Sequence, residues 1–277
     1  MKKVVIAVLT KGYANIEEYN TLINRNNLIH HNIIAKSKLN FDMVIFHEGN
    51  ISEEHQKYIS EKSETSLIFR DVKQCSTKSA FDDSKNIYNT DLCPPNTLSE
   101  SFPLGYKHMC HFWSIDIFDY LSEYQYVIRI DEDCYVDRVD PAVFEAIIEQ
   151  EIKFAVPFMC PVLDDPNVIV GLDTLLYDFA EKNNVELLVD YKDIKAPNTN
   201  FMMFDLDFFK QHSIVQKFLT QVDKSHGIYS NRWGDAPIWG ILLYALAGVD
   251  FYELSDIGYL HGSHSHYVNP IQYTYEF

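Results

Sequence analysis

Three adjacent carboxylates, Asp131, Glu132 and Asp133, follow an apolar run at residues 126–130. Like charges at this spacing repel one another, and a divalent cation removes that cost. Side chains alternate along an extended backbone, so we expect Asp131 and Asp133 on one side and Glu132 on the other. Such an aspartate pair can hold Mn²⁺ or Mg²⁺ and leave positions open for two phosphate oxygens. The pattern predicts a metal site for a diphosphate, and the alternative is a solvated turn after a strand.

The position of this triplet favours the metal site. The first half of the chain alternates strand and helix patterns, which indicates an α/β fold with a mostly parallel, doubly wound sheet. Ligands of such sheets lie beyond the carboxyl ends of the strands, here near residues 10–13 and 47–49. The triplet also follows a strand and is expected at the same edge. The expected strands are residues 4–10, 41–47, 66–69 and 126–130, and the expected helices are residues 16–34, 52–61, 106–120 and one that Asp140 and Pro141 begin.

Composition limits the partners that the chain can have. Its 277 residues include 40 acidic and 23 basic side chains, which give a formal net charge of −17. A field of that sign repels nucleic acid and anionic membrane surfaces, so neither is an expected partner. A phosphorylated ligand would therefore need a local cation. No apolar stretch has transmembrane length. The five cysteines contain no C-x-x-C pair, which favours a reducing compartment over a disulfide framework.

Five sequence blocks resemble a known family. Their order and approximate spacing are those of the fungal α-1,2-mannosyltransferases, and the resemblance covers about residues 100–265. Five blocks in one order are more specific than any one of them. Residues 1–70 carry no comparable signature. The blocks are residues 106–112 (YKHMCHF), 126–133 (YVIRIDED), 200–201 with 205–209 (NF and DLDFF), 232–237 (RWGDAP) and 256–261 (DIGYLH).

The resemblance implies a GT-A glycosyltransferase fold, in which a single Rossmann-like, mostly parallel sheet is flanked by helices. It also implies a GDP-mannose donor, a divalent cation, usually Mn²⁺, and transfer to a glycan or glycolipid acceptor with retention of the anomeric configuration. The whole chain, residues 1–277, would be one such domain. Residues 1–70 would form its nucleotide-binding half, residues 71–102 a surface excursion, and residues 103–277 the half that binds metal, donor sugar and acceptor.

The resemblance assigns candidate site residues as well. The family's metal-binding carboxylate falls on the triplet, on Asp131 or Asp133, and its metal-ligand histidine falls on His261, so Asp131, Asp133 and His261 could together form the metal site. An aspartate near the donor sugar falls on Asp235. Tyr106 begins a block that lines the donor pocket. The other donor-binding candidates lie inside matching blocks or at expected strand ends, and they are Thr10, His108, Arg129, Arg232 and Trp233.

One position departs from the family. A glutamate follows the Asn-Phe pair there and is proposed as the nucleophile of a double displacement, whereas this chain has Met202. A thioether cannot attack an anomeric carbon in that way. Either Asp235 or Asp205 takes over as the catalytic carboxylate, or substitution occurs on the front face without a covalent intermediate, or the donor or the stereochemistry differs.

The same residues are compatible with a different donor or a different role. The donor could be a UDP-sugar, or the chain could be a donor- or carbohydrate-binding protein with little transfer activity. His264 or His266 could replace His261 as the metal ligand. Asp205 could instead be structural, in a strand-to-helix turn for which Asp207 is the expected helix cap.

The start of the chain suggests a location. The fungal proteins are membrane-anchored in the secretory pathway, whereas this chain begins directly at its first expected strand. We therefore expect a cytoplasmic bacterial or viral relative that builds a polysaccharide or glycolipid. Peripheral membrane association through a partner or a lipid-linked acceptor is the alternative.

Overall fold

Eleven strands are present in the computed structural model, which describes residues 3–75 and 99–262. In chain order they are β1 (Val4–Leu9), β2 (Phe41–His47), β3 (Leu67–Asp71), β4 (Tyr126–Ile130), β5 (Cys134–Arg138), β6 (Phe154–Val156), β7 (Met159–Cys160), β8 (Ala196–Pro197), β9 (Phe201–Asp205), β10 (Tyr252–Glu253) and β11 (Gly258–His261). Seven of them form one sheet in the order β10-β6-β9-β4-β1-β2-β3. Within that sheet β9 runs antiparallel to both neighbours, and the other pairings are parallel. The expected mostly parallel α/β sheet is confirmed.

Helices cover both faces of this sheet. They are α1 (Asn20–Asn32), α2 (Glu53–Lys62), α3 (Val72–Cys75), α4 (Leu104–His111), α5 (Ile117–Tyr120), α6 (Ala142–Glu149), α7 (Leu172–Asn183), α8 (Leu206–Gln211), α9 (Ser213–Ser225), α10 (Gly227–Asn231) and α11 (Asp235–Gly240). A π-helical turn at Phe112–Asp116 joins α4 to α5, and a second one at Ile241–Ala247 follows α11. The expected helix at residues 106–120 is therefore present, with a wider turn in its middle.

Local sequence signals account for several of these boundaries. Ser52 caps α2 by accepting a hydrogen bond from the backbone N–H of His55 at 3.2 Å. Asp140 likewise accepts from the N–H of Ala142 at 3.0 Å, where α6 begins. The expected helix at residues 16–34 divides into a 3₁₀ turn, Ile16–Tyr19, followed by α1.

The hydrophobic core lies on both faces of the sheet. Alternate residues of β1 enter different clusters, with Val5 on one face and Ile6 on the other. All five residues of β4 are buried. Strands covered on both faces have near-continuous apolar sequences, which explains why β1 and β4 are conspicuous in the sequence.

The second half packs its last helices against the sheet through Trp239. This α11 side chain is fully buried, and its ring lies 4.9 Å from that of Phe204 in β9. The next residue, Gly240, passes so close to the Lys195 carbonyl that a Cβ atom would stand 2.5 Å from the oxygen. This contact fixes the position of α11, which begins at Asp235.

A short antiparallel pair of strands places the last described residues next to the acidic triplet. β11 pairs with β5, and His261 lies opposite Cys134. Because β5 follows the triplet directly, this register brings His261 to the turn between β4 and β5.

The described ranges contain no helix that is long and apolar enough to cross a membrane. Residues 76–98, which make up most of the predicted surface excursion, lie outside the described residues, as do His264 and His266. The division into a nucleotide-binding half and a donor-sugar half stays a prediction, although β4 of the second half pairs directly with β1 of the first.

Candidate active site

The acidic triplet forms a tight turn between β4 and β5. The backbone N–H of Cys134 donates to the Asp131 carbonyl at 3.1 Å, and the Asp131 N–H donates to the Asn200 carbonyl at 2.9 Å. The expected alternation along an extended backbone is therefore wrong. In a turn the three side chains point towards three different groups of partners, and each carboxylate has its own environment.

Arg129 is the central side chain of the site. It is 2% exposed, and its guanidinium donates to both oxygens of Asp131, at 2.8 and 3.1 Å. It also donates to Asp235, and it lies 4.5 Å from the ring of Trp113. Burial alone would lower the pKa of Arg129, but Asp131 and Asp235 raise it above its ordinary value. The structure places Arg129 between two carboxylates, and its predicted contact with the donor stays a prediction.

Asp133 and His261 lie together on the other side of the turn. Nε2 of His261 is 3.1 Å from Oδ1 of Asp133, and the N–H of Gly262 donates to the Asp133 carbonyl. Burial raises the pKa of neighbouring Asp131, and Arg129 and His261 act in the opposite direction. The three predicted metal ligands therefore surround one turn.

This donor set fits a divalent cation bound together with a phosphorylated ligand. Within the described ranges no ready-made group of three or more His, Cys, Asp or Glu side chains could hold a metal ion. Magnesium-like sites commonly use one or two protein side chains and complete the shell with phosphate oxygens and water. Asp133 and His261 offer one oxygen and one nitrogen, a combination that suits Mn²⁺. Each Asp131 oxygen keeps a second lone pair beside its bond to Arg129.

A second buried arginine lies behind the triplet. Arg25 of α1 is fully buried and donates to the Ile130 carbonyl at 2.7 Å. Burial lowers its pKa to about 10. Four carboxylates (the triplet and Asp235) outnumber the two guanidiniums (Arg25 and Arg129) and the ammonium of Lys11, which acts on Glu132, so the site has a negative formal charge that a divalent cation would offset. Sequence reasoning missed Arg25, because nothing in α1 distinguishes it from a surface arginine.

Tyr106 and Arg232 meet beside the start of α11. Arg232 donates to the Tyr106 hydroxyl at 2.8 Å and to Asp164 at 2.6 Å. Its guanidinium also lies 4.5 Å from the ring of Phe102. The backbone of Arg232 has a positive φ of 62°, a left-handed conformation that non-glycine residues seldom adopt. Sequence reasoning missed Asp164, which belongs to none of the five blocks.

Two predicted donor contacts are packing residues in the structure. Trp233 is 3% exposed, donates from Nε1 to the Val170 carbonyl at 2.9 Å, and packs on Gly227. His108 is buried with its Nδ1 3.0 Å from the Tyr229 hydroxyl. Both side chains therefore have packing and hydrogen-bond partners within the protein, and the prediction that they contact the donor stays a prediction.

The chain as a whole resembles a known protein family. The sequence profile of the family described as Glycolipid 2-alpha-mannosyltransferase matches residues 26–272. The chain belongs to this family. The chain is similar to "Probable mannosyltransferase KTR4" of Saccharomyces cerevisiae, 26% identical over 57% of this chain and 38% of that protein. "O-glycoside alpha-1,2-mannosyltransferase omh1" of Schizosaccharomyces pombe is 24% identical over 83% of this chain and 63% of that protein. The chain thus matches less than two thirds of the length of these relatives.

Solved structures show the same fold. The crystal structure of Core-mannan synthase A (CmsA/Ktr4) from Aspergillus fumigatus, in an Mn/GDP form, has a TM-score of 0.70 at 20% identity and covers 94% of this chain and 75% of that one. Ktr4p of Saccharomyces cerevisiae has a TM-score of 0.73 at 19% identity and covers 94% and 70%. The GT-A fold expected for this mannosyltransferase family member is confirmed.

In this member of the mannosyltransferase family, Asp205 lies far from the other predicted site residues. It stands opposite Tyr126, at the start of β4, whereas the triplet follows the end of that strand. Five residues of strand separate the two places by roughly 16 Å. Asp205 caps α8 by accepting from the N–H of Phe208 at 3.0 Å and pairs with Lys153 at 2.9 Å. The prediction of a catalytic role is corrected, and Asp205, rather than Asp207, is the cap.

Met202 lies at the floor of the site. It is fully buried in β9 and stands opposite Arg129 of β4. The position at which the family has a glutamate is therefore next to the ion pairs of Arg129. Asp235, 5% exposed and hydrogen-bonded to Arg129, is the predicted catalytic carboxylate that remains at the site.

Proposed function

We propose that this chain is a metal-dependent glycosyltransferase that moves mannose from GDP-mannose to a glycan or glycolipid acceptor with retention. The observation that carries this proposal is the pair of ion contacts through which Arg129 joins Asp131 to Asp235. They bring two sequence blocks that lie 106 residues apart to one place, beside His261. Family membership supports mannose as the transferred sugar.

Asp131, Asp133 and His261 would hold the cation. When bound, Mn²⁺ or Mg²⁺ supplies positive charge that stabilises the diphosphate leaving group. The protein residues fix the position of that charge, since Arg129 holds Asp131 and the β5 pairing holds His261. The segment after β1, from Thr10, lies at the same edge and would contact the nucleotide.

Because position 202 is a methionine, sugar transfer cannot use a carboxylate nucleophile at this position. We propose front-face substitution, in which the bond from C1 to the phosphate oxygen breaks and the acceptor oxygen bonds to the same face of C1. The acceptor proton then passes to the departing phosphate oxygen. Asp235, held by Arg129, would stabilise the positive charge that develops on the sugar ring. Arg232 and Tyr106 would border the donor sugar.

An apolar cavity next to Asp164 supports an acceptor that carries an apolar group. The cavity has a volume of about 500 Å³ and adjoins the site, because Asp164 also binds Arg232. Its lining includes the aliphatic side chains of Val162, Leu163, Ile169 and Ile194, together with charged side chains such as that of Asp164. Each buried methylene group contributes about 0.8 kcal/mol. We therefore expect an octyl mannoside to be used at a KM at least about tenfold below that of the methyl mannoside.

Nucleotide release tests the proposed activity. The protein is incubated with GDP-mannose or with UDP-sugars, with and without Mn²⁺, and with a panel of mannoside acceptors. We expect Mn²⁺-stimulated release of GDP from GDP-mannose. If UDP were released from a UDP-sugar and no GDP from GDP-mannose, the donor would be a UDP-sugar. If Mn²⁺ stimulated nucleotide release from none of the donors, the proposed enzymatic activity would be refuted.

Met202 also favours a second candidate function, a donor- or carbohydrate-binding protein with little transfer activity. The two candidates differ in one measurement. A binding protein would take up GDP-mannose and Mn²⁺ in calorimetry but would leave the donor intact over hours with every acceptor of the panel.

A further inference from the structure

Glu132, the middle residue of the triplet, has partners of a different kind from its neighbours. Its two carboxylate oxygens accept hydrogen bonds from two neutral hydroxyls, those of Thr10 and Tyr13. Both donors follow β1, about 120 residues earlier in the chain. We call these two hydrogen bonds the Glu132 clasp.

The segment held by the clasp is itself ordered. The backbone N–H of Thr10 donates to the Phe46 carbonyl at 3.0 Å, which fixes the segment where β1 ends. The N–H of Tyr13 donates to the hydroxyl of buried Tyr19 at 2.9 Å, and the two rings make an edge-to-face contact at 5.1 Å. Residues 10–15 thus form a defined surface at the carboxyl edge of the sheet.

We propose that Glu132 is a positioning residue and not a metal ligand. Its carboxylate ties residues 10–15, which would contact the nucleotide, to the turn that would hold the cation. The inference rests on the proposed donor site. Both oxygens are engaged by hydroxyl donors from the segment after β1, whereas Asp133 is engaged by His261 on the other side of the turn. The clasp therefore keeps residues 10–15 at a fixed distance from the turn at residues 131–133.

The clasp uses a carboxylate, which accepts hydrogen bonds from both hydroxyls at once. A glutamine has one accepting oxygen and one NH₂ group, so one of the two hydroxyls would have to accept a hydrogen bond and not donate one. Glu132→Gln would thus keep the size of the side chain, reverse one hydrogen bond and remove the negative charge that strengthens both. Tyr13→Phe removes one hydrogen bond from the opposite partner and keeps the ring that packs on Tyr19.

The experiment compares Glu132→Gln, Tyr13→Phe and the double variant with wild type. Tyr58→Phe is the matched control, because it removes a tyrosine hydroxyl from an exposed hydrogen bond to Asn20. Three quantities are measured: the affinity for Mn²⁺ alone by electron paramagnetic resonance, the affinity for GDP with Mn²⁺ by calorimetry, and amide hydrogen exchange of residues 10–15 without ligand. Thermal unfolding checks that each variant is folded.

We expect Glu132→Gln and Tyr13→Phe each to weaken GDP binding about fivefold to tenfold, with the double variant no weaker than the worse single one, because both remove one coupled interaction. Affinity for Mn²⁺ alone should stay within twofold of wild type. Exchange in residues 10–15 should accelerate in all three variants and not in Tyr58→Phe.

Two results would overturn the proposal. Loss of Mn²⁺ affinity in Glu132→Gln but not in Tyr13→Phe would make Glu132 a metal ligand. Unchanged hydrogen exchange in folded Tyr13→Phe would show that the clasp does not order the segment. If the wild type binds neither Mn²⁺ nor GDP, the proposed function fails, and the exchange comparison still decides the clasp.

Discussion

At the scale of single residues, the site depends on Arg129. Burying a guanidinium destabilises the fold unless its charge is neutralised and its N–H groups are hydrogen-bonded. Here Asp131 and Asp235 neutralise the charge and accept the hydrogen bonds, and the guanidinium packs on the ring of Trp113. The planar fork of arginine can bind Asp131 through two parallel hydrogen bonds and reach Asp235 with a third, which a lysine ammonium cannot reproduce. The distance between the turn at residues 131–133 and the start of α11 therefore depends on the Arg129 side chain.

Arg129→Lys tests this dependence. We expect the free energy of unfolding to fall by about 2 kcal/mol, since a buried pair is broken while the charge is kept. GDP release from GDP-mannose should fall at least tenfold. Urea unfolding and the release assay measure the two effects, with Arg138→Lys, at an exposed position of β5, as the control. Wild-type behaviour of Arg129→Lys in both assays would contradict the role given to the guanidinium.

Asp133→Asn tests the metal ligands. Removing one anionic oxygen ligand should weaken Mn²⁺ binding about tenfold or more, and His261→Gln should do the same. The Asp133–His261 pair is partly exposed, so stability should change by less than about 1 kcal/mol. Electron paramagnetic resonance of free Mn²⁺ gives the affinity, and Asp256→Asn, at an exposed aspartate ahead of β11, is the control. Equal affinities for Asp133→Asn and Asp256→Asn would remove Asp133 from the ligand set.

At the scale of elements, buried polar contacts join α4 to the π-helical turn that follows it and to α9. His111 ends α4 and binds Asp116 of the π-helical turn at 3.1 Å and Asp223 of α9 at 2.9 Å. Burial alone would lower the pKa of His111, but the two aspartates raise it to about 9. The charged imidazolium therefore stabilises the joint between α4 and α9.

The raised pKa of His111 predicts a pH dependence of stability. The contribution is fully present below the unfolded pKa of about 6.5 and is lost as pH rises through about 9, and its size is at most about 3 kcal/mol. Urea unfolding between pH 6 and pH 10 should show this decline in wild type and a smaller one in His111→Gln. His31→Gln, at an exposed histidine beside Glu64, should keep the wild-type slope. Parallel slopes for wild type and His111→Gln would contradict the assignment.

Gly227 and Gly105 give a matched pair at the same scale. A Cβ on Gly227 would stand 2.3 Å from the buried Trp233 ring, whereas a Cβ on Gly105 would meet nothing within 4 Å. We expect Gly227→Ala to destabilise the protein by about 2 kcal/mol through overpacking. Gly105→Ala, near the start of α4, should stabilise it by about 0.5 kcal/mol. Thermal unfolding measures both changes, and a neutral Gly227→Ala would show that Trp233 can move freely.

At the scale of the whole molecule, the net charge of −17 opposes an anionic donor. The negative formal charge of the site agrees in sign with the rest of the protein. A cation would reverse that local field without changing the field of the surface. The cytoplasmic location and the bacterial or viral origin stay predictions.

Ionic strength should therefore affect GDP binding differently with and without metal. Without Mn²⁺, GDP binding should strengthen as salt rises from about 20 to about 300 mM, because salt screens repulsion. With saturating Mn²⁺, binding should weaken or stay constant over the same range. Calorimetric titration with GDP measures both series. Weakening with salt in the absence of metal would mean that another cationic group, such as Arg232, attracts the nucleotide.

Sequence patterns predicted the strands β1 to β4, the helical segments that became α1, α2, α4 with α5, and α6, and the family, because apolar periodicity, turn residues and motif order are local properties of the chain. They did not predict β5 to β11 or α7 to α11. They also located the acidic turn and matched it with His261. They could not determine which partner each charged side chain would take. Arg129 and Trp233 are donor candidates in the sequence and buried packing or ion-pair residues in the structure.

Only the tertiary structure decided which strand ends meet. Because β9 runs antiparallel to β4, its start at Phe201 lies at the same edge of the sheet as residues 131–133, and its end at Asp205 lies at the opposite edge. Two aspartates with equally suggestive sequence contexts, Asp205 and Asp235, were thereby separated, one as a helix cap and one in the site. The Glu132 clasp likewise joins groups about 120 residues apart, since long-range contacts follow from strand direction and order and not from spacing along the chain.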